Sequence, residues 1–122
     1  MERIVDTHCH VLAEVDDGAQ SIEEMRQMLQ MAYDEGIRYI IATPHHHPRR
    51  GRKPPRELRK QLKVAREEAA KISDKFRVYL GTEIYFGQDI PERLREGKIL
   101  TMNKTRFVLV EFSHSDTFEY IC

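Results

Sequence analysis

The stretch Ile4-Val5-Asp6-Thr7-His8-Cys9-His10 decides how this sequence is interpreted. Its apolar start is typical of a strand, and alternate residues of a strand point to the same side. His8 and His10 therefore face one spot, where two imidazoles are a preorganised start for a divalent metal site. Asp6 is a nearby carboxylate that could orient them. The pair alone is equally compatible with two surface histidines.

Three further segments repeat this pattern of an apolar run followed by a side chain able to bind a metal. The runs cover residues 37–43, 76–80 and 107–110. Helical patterns separate the first three runs of the chain, so the sequence predicts parallel strands whose C-terminal ends share one rim. A single Glu at a strand end is more often an ordinary polar residue, but positions in register on four strands favour a common site. The side chains expected to meet there are His8, His10, Asp17, His45, Glu83 and Glu111.

The segments between the strands predict helices and therefore an α/β fold. Ser21 and Glu24 form a capping box in which Glu24 reaches back to the cap residue, and Gly36 ends this first helix. A second helix is predicted after Pro54-Pro55. A shorter helix near residues 91–96 and a small extra strand at 99–100 complete the prediction.

The composition favours one soluble domain over residues 1–122, located in the cytoplasm. Twenty basic and 20 acidic side chains balance to a formal net charge of +0, so nothing global indicates a nucleic-acid or membrane partner. Neither a signal peptide nor a transmembrane run is evident in the sequence. Cys9 and Cys122 are too few for a disulfide framework. Cys9 stands between two predicted ligands, so it should face away from them as a buried residue rather than act as a nucleophile.

Basic residues are concentrated between Arg49 and Arg66. A basic helix face is usually only solvated. The first of these residues directly follow the run 45–47, however, so their loop should overhang the metal rim and attract a phosphorylated or otherwise anionic substrate. The candidate substrate-binding residues are Arg49, Arg50 and Arg52.

Five motifs resemble, in the same order along the chain, those of the PHP-type protein tyrosine phosphatases. These are manganese-dependent enzymes found with bacterial tyrosine kinases of capsule and exopolysaccharide synthesis. The second and third motifs are more specific than the His-x-His shared by PHP and many amidohydrolase proteins. The motifs are Asp6-Thr7-His8-Cys9-His10, Val15-Asp16-Asp17-Gly18-Ala19, Ala42-Thr43-Pro44-His45, Gly81-Thr82-Glu83 and Val110-Glu111-Phe112.

This resemblance implies a distorted (β/α)7 barrel that carries up to three Mn²⁺ ions, with Fe²⁺ or Zn²⁺ as alternatives. It implies that His8 and His10 hold one metal and that Glu83 bridges two. Glu111 would join the bridged pair, and Asp17 with His45 would hold the third ion. The implied substrate is phosphotyrosine on a bacterial tyrosine kinase, hydrolysed by metal-activated water without a covalent enzyme intermediate.

Members of that family are about twice as long as this sequence. They supply further ligands and phosphate-binding arginines from later strands. The sequence is therefore expected to be the N-terminal portion of one such domain, truncated after about four strands, with an incomplete metal site and open strand edges that favour self-association. Two alternatives stay open, a PHP-type phosphoesterase acting on a small phosphate ester and a non-catalytic metal-binding remnant.

Overall fold

A computed structural model describes residues 3–117 and 119, so the prediction made for Cys122 lies outside the described residues. Helices alternate with parallel strands, which confirms the α/β class. In chain order the elements are β1 (Ile4–Cys9), α1 (Ile22–Asp34), β2 (Ile37–Ala42), β3 (His45–His46), α2 (Pro55–Ile72), β4 (Arg77–Leu80), β5 (Glu83–Tyr85), α3 (Ile90–Arg95), a 3-10 turn (Met102–Lys104) and β6 (Leu109–Glu111).

The strands form two parallel sheets of three strands, in the orders β1-β2-β4 and β3-β5-β6, rather than the single sheet predicted. The first break falls at Pro44, which has no N–H to donate to a ladder. The second break lies at residues 81–82, between β4 and β5. Backbone hydrogen bonds nevertheless connect the two breaks, because the Gly81 N–H donates to Ala42 O at 2.8 Å and the Glu83 N–H donates to Pro44 O at 3.0 Å. The second sheet is therefore the continuation of the first, and it carries the predicted rim residues His45 and Glu83.

Helix α1 begins and ends close to the predicted positions. The Ser21 side chain accepts the Glu24 backbone N–H at 3.1 Å. The Glu24 carboxylate accepts the N–H of Gln20 at 2.5 Å, so the return half of the capping box is one residue earlier than predicted. Gly36 follows the helix with a φ of 99°, a left-handed conformation that glycine adopts without strain.

The main core lies between the two long helices and the first sheet. Met25 and Leu29 of α1 are fully buried, as are Ile40 of β2 and Ala65 of α2. Strand β1 lies at an edge of this sheet. Its residues 4–5 are about half exposed, in line with the open edge expected there.

Residues 99–100 do not form the predicted extra strand but precede the 3-10 turn 102–104. Within that turn the chain adopts positive φ angles at residues 103 and 104, which an extended strand excludes. The last strand starts only at Leu109, so Phe107 and Val108 lie before it and are 66% and 40% exposed. Among the described helices, none is long and apolar enough to cross a membrane.

Candidate metal centre

The end of β1 and the start of β5 bring three predicted ligands together. His8 Nε2 lies 3.0 Å, and His10 Nε2 2.9 Å, from the same oxygen, Glu83 Oε1. The two ring nitrogens are 3.3 Å apart. Ligand atoms that share one ion at bond lengths of roughly 2.0–2.2 Å stand about 3 Å from one another, so this triangle fits a divalent cation. The His8 side chain is 49% exposed, which leaves one side of the triangle open.

Glu83 Oε1 also belongs to a second group, formed with His45 of β3 and Glu111 of β6. His45 Nδ1 lies 3.4 Å from Glu83 Oε1 and 3.4 Å from Glu111 Oε1. Among the described residues, neither His45 Nδ1 nor Glu111 Oε1 has a hydrogen-bond partner, although both atoms are buried. Because buried polar atoms are normally paired, this donor set fits a cation that they would coordinate. The bridging role of Glu83 stays a prediction, and one shared oxygen is the arrangement that it needs.

Asp17 approaches the other nitrogen of the His45 ring, with Asp17 Oδ1 3.3 Å from His45 Nε2. A neutral imidazole offers one lone pair, so His45 can coordinate either on this side or on the Glu83 side. Asp17 is 54% exposed, and its second oxygen lies 3.9 Å from Arg50 Nε. All six predicted ligands therefore meet at one rim, while their assignment to individual ions stays a prediction.

Sequence reasoning missed Asp16, the neighbour of Asp17. The Asp16 side chain is fully buried, and its Oδ2 lies 3.1 Å from His10 Nδ1. The same oxygen accepts the backbone N–H of His45 at 2.9 Å, and Oδ1 accepts the N–H of Gly18 at 2.9 Å. A signal for this role was present, because an Asp two residues before a Gly commonly closes a turn through its side chain.

The contact between Asp16 and His10 shifts both pKa values. The hydrogen bond that Asp16 accepts from the His10 ring raises the pKa of His10 above its ordinary value, and burial opposes this only in part. Burial would raise the pKa of Asp16, but the hydrogen bonds that its carboxylate accepts outweigh burial and lower that pKa. An ionised carboxylate behind an imidazole is the arrangement that metal-binding histidines commonly have. Asp6, the orienting carboxylate suggested by the sequence, instead accepts the backbone N–H of His8 at 3.0 Å.

The described residues form three metal-compatible groups, which are His8-His10-Glu83, His45-Glu83-Glu111 and His10-Asp16-His45. The other two histidines of the 45–47 run lie outside these groups. His46 is buried, and burial together with the nearby charges of Arg52 and Arg93 lowers its pKa. The His47 ring packs against the ring of Tyr85, with centroids 4.3 Å apart. Burial also lowers the pKa of His47.

The basic loop borders an open cleft of about 880 Å³ beside the metal-compatible groups. Arg49 and Arg50 line this cleft together with Asp16 and Asp17. Arg52 is not among the lining residues, and its charge acts on His46 and on Asp89 instead. The structure thus brings two of the three candidate substrate-binding arginines to the site.

Cys9 packs against the main core, as predicted for a residue between two ligands on a strand. Its backbone N–H donates to Thr43 Oγ1 at 3.0 Å. Burial, with a smaller contribution from the charge of Asp6, raises the pKa of the Cys9 thiol to about 12. The thiol is therefore protonated at neutral pH and is a poor nucleophile.

Residues 4–122 match the family model described as capsular polysaccharide synthesis, CpsB/CapC. The chain belongs to this family. It is 32% identical over 118 residues to the tyrosine-protein phosphatase CpsB of Streptococcus pneumoniae, covering 97% of this chain and 49% of that protein. It is 32% identical over 109 residues to the tyrosine-protein phosphatase YwqE of Bacillus subtilis, covering 89% of this chain and 43% of that protein.

A solved structure agrees with these sequence matches. It comes from crystal structures of YwqE from Bacillus subtilis and CpsB from Streptococcus pneumoniae, described as unique metal-dependent tyrosine phosphatases. The two folds superpose with a TM-score of 0.87 at 30% identity, over 97% of this chain and 48% of the solved chain. The chain of this CpsB/CapC family member thus spans about half the length of the relatives it matches.

Proposed function

We propose that this chain is the N-terminal portion of a PHP-type, metal-dependent protein-tyrosine phosphatase. Its substrate would be phosphotyrosine on a bacterial tyrosine kinase of polysaccharide synthesis in the cytoplasm. The observation that carries the proposal is that one Glu83 oxygen lies within 3.0 Å of His8 and His10 and also faces the pair His45 and Glu111. The names of the family relatives add support for the reaction class.

In this proposal the chain supplies about four strand units of a (β/α)7 barrel. The exposed apolar residues at the edge strand β1 and before β6 favour contact with further strands. These strands would come from the remainder of a barrel or from a second copy of the chain, because unpaired edges readily add a partner.

Imidazole and carboxylate donors suit Mn²⁺, and Fe²⁺ or Zn²⁺ would also fit them. His8, His10 and Glu83 would hold one ion, Glu83 and Glu111 a second, and Asp17 with His45 a third. Such ions, when bound, lower the pKa of a coordinated water and neutralise the phosphoryl oxygens. The arginines of the cleft, Arg49 and Arg50, would draw the phosphorylated substrate toward this rim through long-range attraction.

An aromatic pair beside the ligands favours an aryl phosphate over a small alkyl phosphate. Tyr85 lies two residues after Glu83 on β5, about 6.6 Å further along the same face of that strand. His47, the residue after β3, packs against the Tyr85 ring. The ring of an aryl phosphate is separated from phosphorus by one ester oxygen only. With the phosphate at the metal-compatible groups, the phenyl ring would therefore reach the contact between Tyr85 and His47.

The test is to load the chain with Mn²⁺ and compare hydrolysis of a phosphotyrosine peptide with hydrolysis of a small alkyl phosphate such as histidinol phosphate. Because the metal site of this portion alone is expected to be incomplete, the same comparison is made on a longer protein that contains the chain. For any activity of either protein, we expect faster hydrolysis of the peptide, loss of activity with a chelator, and retention of most activity in Cys9→Ser. Activity that survives chelation but disappears on thiol alkylation would contradict the proposal. Faster hydrolysis of the alkyl phosphate would favour the small-ester alternative, and substoichiometric metal without turnover would favour the remnant.

A further inference from the structure

The Asp16 side chain has no solvent contact, and yet Asp16 belongs to one of the metal-compatible groups. Its side chain is 0% exposed, and both of its oxygens already accept hydrogen bonds. Oδ2 faces His10 Nδ1 at 3.1 Å and the His45 backbone N–H at 2.9 Å, while Oδ1 faces the Gly18 N–H at 2.9 Å. An oxygen occupied by two N–H groups has no lone pair left for a cation. Asp16 is therefore poorly suited to be a ligand, although its oxygen lies close enough to both rings to be considered one.

The same contacts join the two strands that carry the ligands. His10 directly follows β1, and His45 begins β3 in the second sheet. Their rings stack with centroids 4.4 Å apart and planes 21° apart, and Asp16 bonds to the ring of one residue and to the backbone of the other. One carboxylate thus fixes the ring orientation of His10 relative to the position of His45.

Two glycines allow the chain to close around this carboxylate. A Cβ atom on Gly18 would lie 2.3 Å from the carbonyl oxygen of His10 and 2.6 Å from its Cβ. A Cβ atom on Gly51 would lie 2.8 Å from the Cβ of Asp16. Such distances are not tolerated between these atoms, so glycine is needed at residue 18 for the close approach to His10 and at residue 51 for the close approach to Asp16.

We propose that Asp16 is a positioning residue, which holds the neutral His10 ring with its proton on Nδ1 and thereby directs the Nε2 lone pair toward the cation position between Glu83 and His8. It also ties His45 to the end of β1, so that the two groups that share Glu83 are preformed. This inference rests on the proposed metal-dependent function and names a residue that acts through the predicted ligands rather than on substrate. Partners of this kind typically change metal affinity by about 10- to 100-fold when they are removed.

The first measurement uses Asp16→Asn, which keeps the shape of the side chain but removes its charge and one acceptor oxygen. Mn²⁺ affinity, measured by titration calorimetry, should fall about 10- to 100-fold relative to the wild type. The matched control is Glu14→Gln, because Glu14 is an exposed acidic residue of the same loop and belongs to none of the metal-compatible groups of the described residues. The control should change the affinity much less. Equal affinities of Asp16→Asn and the wild type would overturn the inference.

The second measurement needs neither metal nor activity. Glu83→Ala removes the carboxylate that lies 2.9 Å from His10 Nε2 and would itself hold a proton there. In metal-free Glu83→Ala, at a pH that leaves His10 neutral, nitrogen chemical shifts should place the proton on Nδ1. Addition of Asp16→Asn should shift the tautomer toward Nε2 protonation, and a Glu83→Ala ring protonated on Nε2 would overturn the inference even if the double variant does not fold. A wild-type chain that binds no Mn²⁺, together with the expected tautomer in Glu83→Ala, would contradict the proposed function and support the positioning role.

Discussion

The two sheets of this molecule are parallel and continuous, yet their interiors differ in chemistry. The first sheet packs apolar residues such as Ile40 and Val78 against both long helices. The second sheet buries His45 and Glu83, and the apolar cluster next to it in the described part of the chain has only three buried members, Ile84, Ile90 and Ile99.

This difference separates the source of stability from the source of function. Burial of apolar surface stabilises the first sheet without any ligand. The second sheet contains buried polar atoms, His45 Nδ1 and Glu111 Oε1, that have no hydrogen-bond partner among the described residues. Such atoms lower stability unless something pairs with them. We therefore expect the second sheet to gain stability from a divalent cation and the first sheet to be indifferent to it.

The largest effect on metal binding is expected from His8→Ala combined with His10→Ala. His8 and His10 are two of the three residues in the group that Glu83 completes, so their removal should abolish tight Mn²⁺ binding. At about 100 times the dissociation constant, Mn²⁺ should stabilise the wild type by about 2.7 kcal/mol and the double variant by almost nothing. Thermal unfolding with and without Mn²⁺, together with elemental analysis, measures this. His47→Ala is the control for metal content, and a double variant with wild-type metal content would show that the ligand assignment is wrong.

The next effect compares the interiors of the two sheets directly. Leu29→Ala removes a fully buried side chain from the main core and should lower the free energy of unfolding by about 2–5 kcal/mol, with metal affinity of the folded fraction unchanged. Ile84→Ala should lower both quantities, because Ile84 is fully buried directly beside Glu83. Denaturant unfolding and Mn²⁺ titration separate the two outcomes. Equal metal affinities in the two variants would break the proposed division between the sheets.

The sequence was sufficient to predict features that depend on local pattern. The start of α1 at Ser21, its end before Gly36 and the parallel strands follow from capping chemistry and apolar periodicity. The approach of the six predicted ligands follows from parallel strands that end at one rim.

Other features depended on contacts between distant residues and could not be predicted. The division into two sheets arises where the chain passes Pro44, while hydrogen bonds continue across the break. Asp16 was missed because its role needs the His45 backbone, 29 positions away, to lie beside it. The position of the Arg52 charge was also not predictable. Only the folded chain shows that this charge acts on His46 and Asp89 rather than in the cleft.

A smaller effect is expected when Arg49 and Arg50 are both replaced by Ala. Both side chains line the cleft next to the second sheet, so their loss should raise KM for an acidic phosphopeptide a few-fold at low salt and leave kcat nearly unchanged. The control is Arg56→Ala on α2, an exposed residue that is absent from the cleft lining. A large loss of kcat at saturating substrate would instead show that the arginines act in the transition state.

The smallest effect concerns the helix layer of the first sheet, where Glu68 of α2 accepts a hydrogen bond from Arg26 of α1 at 2.9 Å. This contact, with a second one from Lys71, lowers the pKa of Glu68 from 4.5 to about 2. A carboxylate whose pKa is lower in the folded than in the unfolded state stabilises the protein at pH values above its unfolded-state pKa. That contribution is lost as the pH falls from about 4.5 toward about 2. Glu68→Gln should therefore melt at a slightly lower temperature than the wild type at neutral pH, and the difference should shrink as the pH falls through this window.

Melting curves of Glu68→Gln and the wild type, recorded with and without Mn²⁺, should differ by the same shift, because the contact lies in the layer that the cation does not reach. A shift that depends on Mn²⁺ would show that the helix layer and the metal rim are coupled.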